Sequence, residues 1–305
     1  MYSDPVAEQH QGGDAGTTAA SNIKTSRQGG TERTRAQVLG CGIDRVDLQE
    51  SVAYCEAVID ARGFAQHMAI NVAKLVAMRS DPQLRHGVET CELITADGQP
   101  VVWASRLLRD PLPERVPGID LMQALLARAA QKRYRVYILG ARPADLGRAV
   151  AHIRSSYPGV DIVGYRDGYY ADTEEAAVAT AIRQAEPDIL FVAMSSPRKE
   201  YFLSGHGRSL GVPFVMGVGG AVDVLAGVTR RAPIILQRNG LEWLFRLAQE
   251  PRRLALRYAA TNSRFVALLS RELMLAYGRH LFRTGRRLRR PAPPQPLPSD
   301  RPHRI

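Results

Sequence analysis

Short apolar runs alternate with segments of helical periodicity through the middle of the chain. Apolar strands that alternate with helices in this way are typical of a parallel sheet covered on both faces. The predicted strands are residues 66–71, 91–96, 134–140, 160–165, 187–194 and 212–218. The predicted helices are residues 71–79, 120–132, 144–156, 173–185 and 197–209. The pattern predicts an α/β fold with a Rossmann-like, mostly parallel sheet and helices on both faces.

The two ends of the chain differ from this middle part. Residues 1–38 are rich in Gly, Ser, Thr, Gln and Ala, which predicts a disordered tail before an α/β catalytic domain at 39–240. Residues 241–290 have a helical, Arg-rich pattern that predicts a basic helical appendage. The Pro-rich residues 291–305 predict a second disordered tail.

Composition limits the class of protein. The chain has 305 residues, of which 45% are hydrophobic, and this is enough to bury a sizeable core. No apolar run approaches the ~18 residues of a membrane span, and the N-terminal region has no apolar signal core. The three cysteines have no C-x-x-C spacing, so we expect reduced thiols in a cytoplasmic protein and no zinc site.

Positive charge is concentrated near the C-terminus. The chain carries a formal net charge of +11, and residues 241–290 alone hold twelve arginines and three acidic residues. The charge is therefore a local feature that indicates an anionic partner. An anionic membrane surface and nucleic acid are the two candidates.

Polar and glycine-rich residues follow the predicted strands. Ligands of parallel sheets bind beyond the carboxyl ends of the strands, so these residues are the candidates for a site. They are Asn71, Asp97 with Gly98, residues 140–143, 165–170 and 195–200, and residues 217–223.

The dipeptide Asp97-Gly98 has two interpretations. Asp-Gly favours tight turns that need a positive φ, which would make this a hairpin. Alternatively, Asp97 is a carboxylate held at the end of a buried strand. The other polar strand ends favour the second interpretation.

Three loops could each hold a phosphate or serve only the fold. Residues 139–150 join a strand to a helix without either established phosphate-binding glycine motif. In residues 195–200 a proline begins a helix, and the cations Arg198 and Lys199 would also suit a diphosphate. In residues 217–223 the glycines allow close backbone approach, and Asp223 can cap a helix or accept hydrogen bonds from ribose.

The chain contains no D-x-D, H-E-x-x-H or G-x-S-x-G motif. A divalent metal between an acidic pair and a nucleotide is therefore not expected, and neither is any cofactor.

Six motifs, in order, resemble one known family over residues 40–260. They are "ITADGQPVVW", "ERVPGIDL", "GYRDGYY", "PDILFVAMSSPRKE", "GVGGAVDVLAGVTRRAP" and "GLEWLFRLAQEPRRLALRY". Together they resemble the WecG/TagA/CpsF glycosyltransferases, glycosyltransferase family 26. The resemblance implies an inverting enzyme that moves a hexose or N-acetylhexosamine from a UDP-sugar to a polyprenyl-diphosphate-linked saccharide. It also implies that the enzyme helps to synthesise a bacterial cell-surface polymer or exopolysaccharide at the inner face of the membrane.

The resemblance assigns roles to individual residues. Asp97 matches the acid of the family's "ADG" motif, the proposed catalytic base. Asn71 matches the asparagine of its T-x-N motif, and Asp223 matches an acid expected near the nucleotide ribose. Ala69 replaces the threonine of T-x-N and Lys199 replaces the glutamine of P-x-Q-E, so the donor sugar stays open.

The predicted donor site contains further residues. They are Gly98, Arg115, Tyr165, Pro197, Arg198, Lys199, Glu200, Gly217, Gly219 and Gly220. Because no metal-binding acids are present, helix N-termini and the cations Arg115, Arg198 and Lys199 would have to stabilise the departing diphosphate.

The C-terminal segment combines a basic stripe with an apolar face. The stripe contains Arg246, Arg253, Arg257, Arg264 and Arg271. The apolar face contains Phe265, Leu268, Leu269, Leu273, Ala276 and Tyr277. This helix either packs on the body with a solvated basic edge or docks on anionic lipid. We expect Arg246, Arg253 and Arg257 to lie on the side of the site that faces the diphosphate and the lipid.

Two other functions are compatible with the sequence. A non-catalytic regulator that binds a nucleotide sugar would have the same fold, and the changes at Ala69 and Lys199 permit it. A nucleic-acid binder would explain the charge, but the chain has no recognised nucleic-acid motif and no basic sheet with interleaved aromatic residues. We therefore expect no nucleic-acid partner and a peripheral location on the inner face of the membrane.

Overall fold

The computed structural model describes residues 33–288, without the side chains of residues 238, 253 and 277–288. Most of the predicted N-terminal tail and all of the predicted Pro-rich tail lie outside this range. The first described element lies within the predicted disordered tail, at β1 (Arg35–Val38), and pairs antiparallel with β2 (Cys41–Asp44). The placement of the tail boundary at residue 38 was therefore wrong.

A six-stranded sheet forms the centre of the molecule. Its strands are β3 (Ala65–Ile70), β4 (Leu93–Ala96), β5 (Arg135–Gly140), β6 (Asp161–Arg166), β7 (Ile189–Ala193) and β8 (Phe214–Gly217). They lie in the order β4-β3-β8-β7-β5-β6. All neighbouring pairs are parallel. The predicted parallel α/β fold is confirmed.

Helices cover both faces of this sheet. They are α1 (Leu48–Asp60), α2 (Val72–Ala77), α3 (Pro82–Glu89), α4 (Gln99–Leu107), α5 (Gly118–Lys132), α6 (Pro143–Ser156), α7 (Glu175–Gln184), α8 (Arg198–His206), α9 (Ala221–Leu225), α10 (Ile234–Arg238), α11 (Glu242–Gln249) and α12 (Pro251–Leu288). Apolar side chains of α1, α5, α6 and α9 pack on one face of the sheet. Those of α2, α3, α4, α7 and α8 pack on the other.

The β1-β2 hairpin protects an edge of the sheet. The buried Asp44 carboxylate accepts a hydrogen bond from the Ile94 N–H of edge strand β4 at 2.7 Å. Arg35 pairs with the other oxygen of Asp44 at 3.2 Å. Because an open strand edge invites pairing with another chain, this contact closes a surface that would otherwise promote aggregation.

Asp97 and Gly98 connect a strand to a helix and do not form a hairpin. The Asp97 N–H still bonds to the Ile70 carbonyl at 2.8 Å, which continues the pairing of β4 with β3. Gly98 has a φ of −122° and is the N-cap of α4. The apolar run after it is helical, and Val101 and Val102 are fully buried. The turn interpretation was therefore wrong.

The glycine after β5 allows close packing between strand ends. Gly140 has a φ of +115°, and a β-carbon there would lie 2.5 Å from the Ala193 carbonyl carbon of β7. Only glycine fits this position. The contact supports the plain strand-to-helix turn at residues 139–150, since the space beside this glycine is occupied by protein.

The long helix α12 packs on the body through part of the predicted apolar face. Phe265 is 6% exposed in the cluster that includes α2, and the partly buried Leu268 and Leu269 pack beside it. Arg79 and Glu272 approach within 3.8 Å at the same contact. Exposed apolar residues lie elsewhere on the helix, at Leu256, Val266, Met274 and Leu275. No helix in residues 33–288 has both the length and the low charge needed to cross a membrane.

We predict that Phe265→Ala weakens the attachment of α12 far more than Val266→Ala. Removal of a buried phenylalanine costs about 3–5 kcal/mol, whereas Val266 is 58% exposed and loses little. Urea unfolding and limited proteolysis of α12 would measure the difference. Equal effects of the two substitutions would show that α12 does not depend on this contact.

Candidate active site

The helix that follows β8 lies on the opposite face of the sheet from the helices that follow the two strands beside β8. Helix α9 follows β8 on one face, while α2 and α8 follow the neighbouring strands β3 and β7 on the other. Connections that diverge in this way open a crevice at the carboxyl ends of the strands, where α/β proteins bind ligands. Residues 217–220 lie at this point.

Asp97 is held at the neighbouring strand ends by two contacts. Its Oδ1 accepts a hydrogen bond from the Gly118 N–H at 3.3 Å, and its Oδ2 lies 3.5 Å from Asn71 Nδ2. Asn71 in turn caps α2, because its Oδ1 accepts from the Lys74 N–H at 3.1 Å. The structure therefore brings Asn71 and Asp97 together, with the half-buried carboxylate fixed in orientation.

A buried cluster of two lysines and one carboxylate lies beside this pair. Glu200 Oε1 is 3.2 Å from Lys74 Nζ and 3.1 Å from Lys199 Nζ. Glu200 Oε2 accepts from the Ser196 hydroxyl at 2.9 Å. All three charged residues are buried, with Glu200 1% exposed. The cluster joins α2 to α8 underneath the crevice.

The pKa values of this cluster reflect competition between burial and charge. Burial and the charge of Lys74 lower the pKa of Lys199 to about 8, against the opposing effect of Glu200 and Asp97. Burial alone would raise the pKa of Glu200, but the charges of Lys74 and Lys199 outweigh it and hold that pKa below its usual value. Glu200 is therefore ionised at neutral pH, and Lys199 is mostly protonated.

The glycine-rich loop after β8 lies directly on the Lys199 side chain. A β-carbon at Gly217 would lie 3.3 Å from Lys199 Cδ and Cε, and one at Gly219 would lie 3.7 Å from Lys199 Nζ. Gly219 also has a φ of +51°. The glycines thus allow the loop to lie close to the Lys199 ammonium group.

Asp223 follows this loop directly. It is in the first turn of α9, and its Oδ2 would lie 3.6 Å from a β-carbon at Gly220. A hydrogen bond with Tyr169 and, more weakly, the charges of nearby acids including Asp223 raise the pKa of Arg142. Arg142, Tyr169 and Asp223 are therefore neighbours at the carboxyl end of the sheet.

The two predicted arginines of the donor site are engaged in protein contacts. Arg198 donates to the carbonyls of Gly168 and Tyr170 at 3.0 and 2.6 Å, and holds the segment after β6. Arg115 donates to the Gln237 carbonyl at 3.0 Å and to Glu242 at 3.3 Å. Arg115 therefore ties α10 and α11 to the body.

The other predicted residues are more dispersed. Gly98 and Pro197 are the N-caps of α4 and α8. Tyr165 is 49% exposed on the edge strand β6, away from β8. Arg246 lies 3.7 Å from Glu242, and Arg257 lies over the Tyr258 ring at 5.7 Å. The side chain of Arg253 lies outside the described residues.

Sequence reasoning missed Lys74 and His67. Lys74 is three residues after Asn71, and a helix that begins at Asn71 places Lys74 on the same side, near the strand end. This spacing was the signal that could have identified Lys74. His67 Nε2 lies 2.9 Å from the Thr95 hydroxyl, which itself donates to the Val116 carbonyl at 3.0 Å. Burial and the charge of Lys74 lower the pKa of His67 to about 3, so it is a neutral core residue.

The cysteines and the possible metal ligands of the described residues are dispersed. Within residues 33–288, no group of three His, Cys, Asp or Glu side chains is arranged to hold a metal ion. Cys41, Cys55 and Cys91 are free and buried. Burial raises the pKa of the Cys41 and Cys91 thiols to about 12.

Comparison with known proteins identifies the family of this chain. The sequence is 35% identical over 173 residues to an N-acetylglucosaminyldiphosphoundecaprenol N-acetyl-beta-D-mannosaminyltransferase of Bacillus spizizenii. That match covers 57% of this chain and 66% of the relative, just under two thirds of its length. A broader match, to the family described as Glycosyl transferase WecG/TagA/CpsF, extends over residues 36–279 and includes every element from β2 to α11. The chain belongs to the WecG/TagA/CpsF family of glycosyl transferases.

Proposed function

We propose that this protein is an inverting glycosyltransferase that uses a UDP-sugar donor. Its acceptor is a saccharide linked to polyprenyl diphosphate, and its product serves the synthesis of a bacterial cell-surface polysaccharide or exopolysaccharide. The family membership and the name of the Bacillus relative support the reaction class. The observation that carries the proposal for this chain is the Asp97 carboxylate, fixed by Asn71 and Gly118 beside the crevice.

Asp97 acts as the general base. An acceptor hydroxyl is a weak nucleophile, and transfer of its proton to a positioned carboxylate accelerates attack by roughly 10²–10⁴-fold. The hydroxyl oxygen bonds to the anomeric carbon of the donor, while the bond from that carbon to the UDP oxygen breaks. A single displacement of this kind inverts the anomeric configuration, and the proton stays on Asp97 until solvent removes it.

The donor sugar is a hexose or an N-acetylhexosamine. The printed name of the relative specifies N-acetylmannosamine for that protein. In this chain Ala69 is a buried alanine on β3, and Lys199 places a cation at the crevice. Ala69 lies two residues before Asn71, so this difference is expected to act on the choice of sugar.

The protein works at an anionic membrane surface on the cytoplasmic side, because its acceptor is lipid-linked. The contact surface differs from the predicted apolar face, since Phe265, Leu268 and Leu269 pack on the body. A group of exposed apolar residues lies on α10 and α11, which Arg115 ties to the body. They are Ile234, Ile235, Trp243 and Leu244. Together with exposed arginines such as Arg246, they form the proposed membrane-contact surface.

The first test replaces Asp97 with asparagine. Asp97→Asn keeps the size of the side chain but cannot accept the proton, so transfer should fall at least about tenfold while UDP binding remains. Asp161→Asn, at the opposite end of the sheet on β6, is the matched control and should transfer at the normal rate. Wild-type turnover by Asp97→Asn would reject this residue as the base. UDP binding with no transfer from any UDP-sugar, in the unaltered protein, would favour a non-catalytic regulator.

The second test concerns metal ions. Since protein cations are proposed to stabilise the leaving diphosphate, EDTA should leave the transfer rate unchanged. The comparison is the rate with EDTA against the rate with added Mg²⁺ or Mn²⁺. Loss of transfer in EDTA with recovery on addition of a metal would contradict a metal-independent reaction.

The third test measures attachment to lipid vesicles. Binding to phosphatidylglycerol vesicles should exceed binding to phosphatidylcholine vesicles and should weaken as salt is raised. Ile235→Ser should reduce that binding by about tenfold, because it removes a large apolar side chain from the proposed contact. Val228→Ser, at another exposed apolar residue outside α10 and α11, is the control. Equal binding by both variants would exclude this surface.

A further inference from the structure

The donor diphosphate needs a cation, and two of the three predicted cations are already engaged in protein contacts. Among the three predicted cations, Arg198 uses its guanidinium to hold two carbonyls of residues 168–170. Arg115 is bound to Gln237 and Glu242. Lys199 is the remaining one, and it lies at the crevice itself.

Lys199 has unused hydrogen-bonding capacity. Its one ion-pair partner among the described side chains is Glu200, at 3.1 Å, although an ammonium group has three N–H donors. Its side chain is only 7% exposed, so bulk water does not satisfy the remaining donors fully. The stem lies against Gly217, and the Nζ atom lies near Gly219 in the glycine-rich loop after β8.

Lys74 is satisfied by the protein alone. Its Nζ donates to the Ala69 carbonyl at 2.8 Å and to Met68 sulfur at 3.1 Å, and it lies 3.2 Å from Glu200. Three partners match its three donors. Lys74 therefore fixes the Glu200 carboxylate, while the same oxygen of Glu200 holds Lys199.

We propose that Lys199 is the cation that binds the diphosphate of the donor beside the glycine-rich loop, and that the buried Lys74–Glu200 pair positions it there. This inference rests on the proposed function, since it assigns a role within the donor site. Lys199 contacts the substrate, whereas Lys74 and Glu200 act through it.

The charges around the site favour an incoming anion. Lys74 of α2 and Glu200 of α8 face Lys199 at close range, and Asp97 after β4 acts on it more weakly. Two ammonium groups share one carboxylate in the cluster. Burial of an ammonium group without a full countercharge is energetically costly. This cost lowers the pKa of Lys199 to about 8. A bound diphosphate would supply negative charge and raise this pKa.

The direction of the pH effect follows from linkage. The anion prefers the protonated ammonium, so UDP affinity is highest below pH 8, where Lys199 is charged in the free protein. Above that pH the free protein must take up a proton to bind UDP. The dissociation constant should then rise by about tenfold per pH unit until the pKa of the complex is reached.

The experiment is calorimetric titration of the full chain with UDP between pH 6.5 and 9.5, with Lys199→Gln as the comparison. Glutamine is uncharged, so this variant should bind UDP about 10–100-fold more weakly at pH 7. The difference in UDP affinity between the wild type and Lys199→Gln should become smaller as the pH rises. The ratio of the two dissociation constants at each pH removes the ionisation of UDP itself.

Lys74→Met tests the positioning role. Methionine removes the charge that repels Lys199, so the pH at which UDP affinity begins to fall should move upward. A purely structural role would lower affinity equally at every pH and leave that point unchanged. Lys132→Met, a partly exposed lysine that pairs with Asp60, is the control and should change neither quantity.

A constant ratio between wild type and Lys199→Gln across this pH range would overturn the inference. So would an effect of Lys199→Gln that appears with UDP-glucuronate but is missing with UDP and UDP-glucose, because it would place the ammonium group on a sugar carboxylate. Absence of UDP binding by the unaltered protein would instead contradict the proposed function. Circular dichroism of each variant checks that the fold is retained.

Discussion

The Glu200 carboxylate joins two helices that belong to different parts of the chain. One of its oxygens lies within 3.2 Å of both Lys74 and Lys199, and the other accepts from Ser196. Moving a single charge into a protein interior costs several kcal/mol even after relaxation, so each member of this cluster depends on the others. Because Lys74 follows β3 and Lys199 follows β7, the cluster fixes two strand ends on either side of β8. The glycine-rich loop after β8 then lies on the Lys199 side chain.

The site is a consequence of parallel strands with diverging connections. Asn71 and Asp97 follow adjacent strands, β3 and β4, so their side chains meet at one edge of the sheet. The N-terminus of α5 orients the carboxylate through the Gly118 amide. The result is the Asp97 carboxylate after β4 and the Lys199 ammonium group after β7, with β3 and β8 between these two strands. This separation suits a reaction that removes a proton from one substrate and stabilises negative charge on the other.

Periodicity in the sequence was sufficient to locate the sheet and the strand ends, because buried parallel strands have a strong apolar signal. It failed for short elements whose apolar residues are few. Strand β1 was assigned to a disordered tail, although Ala36 and Val38 are fully buried. The apolar run after Asp97-Gly98 was ambiguous until the structure placed Gly98 as the N-cap of a helix.

The candidate site was predictable in part. Asp97 and Asn71 were predicted to follow buried strands, and the structure places their side chains 3.5 Å apart at two adjacent strand ends. The partners of Arg115 were not predictable, because Gln237 and Glu242 lie far away in the sequence and are brought close only by the packing of α10 and α11. The role of Lys74 was not predictable for the same reason, because its partner Glu200 is also far away in the sequence. Long-range pairs of single charged residues leave no periodic signal.

A crystal structure of the protein with UDP at pH 7 would show directly whether Lys199 binds the diphosphate. We expect the diphosphate to lie at the loop after β8, with a phosphate oxygen about 3 Å from Lys199 Nζ, while the Asp97 carboxylate remains open to an acceptor hydroxyl. A diphosphate bound elsewhere, with Lys199 still occupied only by Glu200, would contradict this expectation.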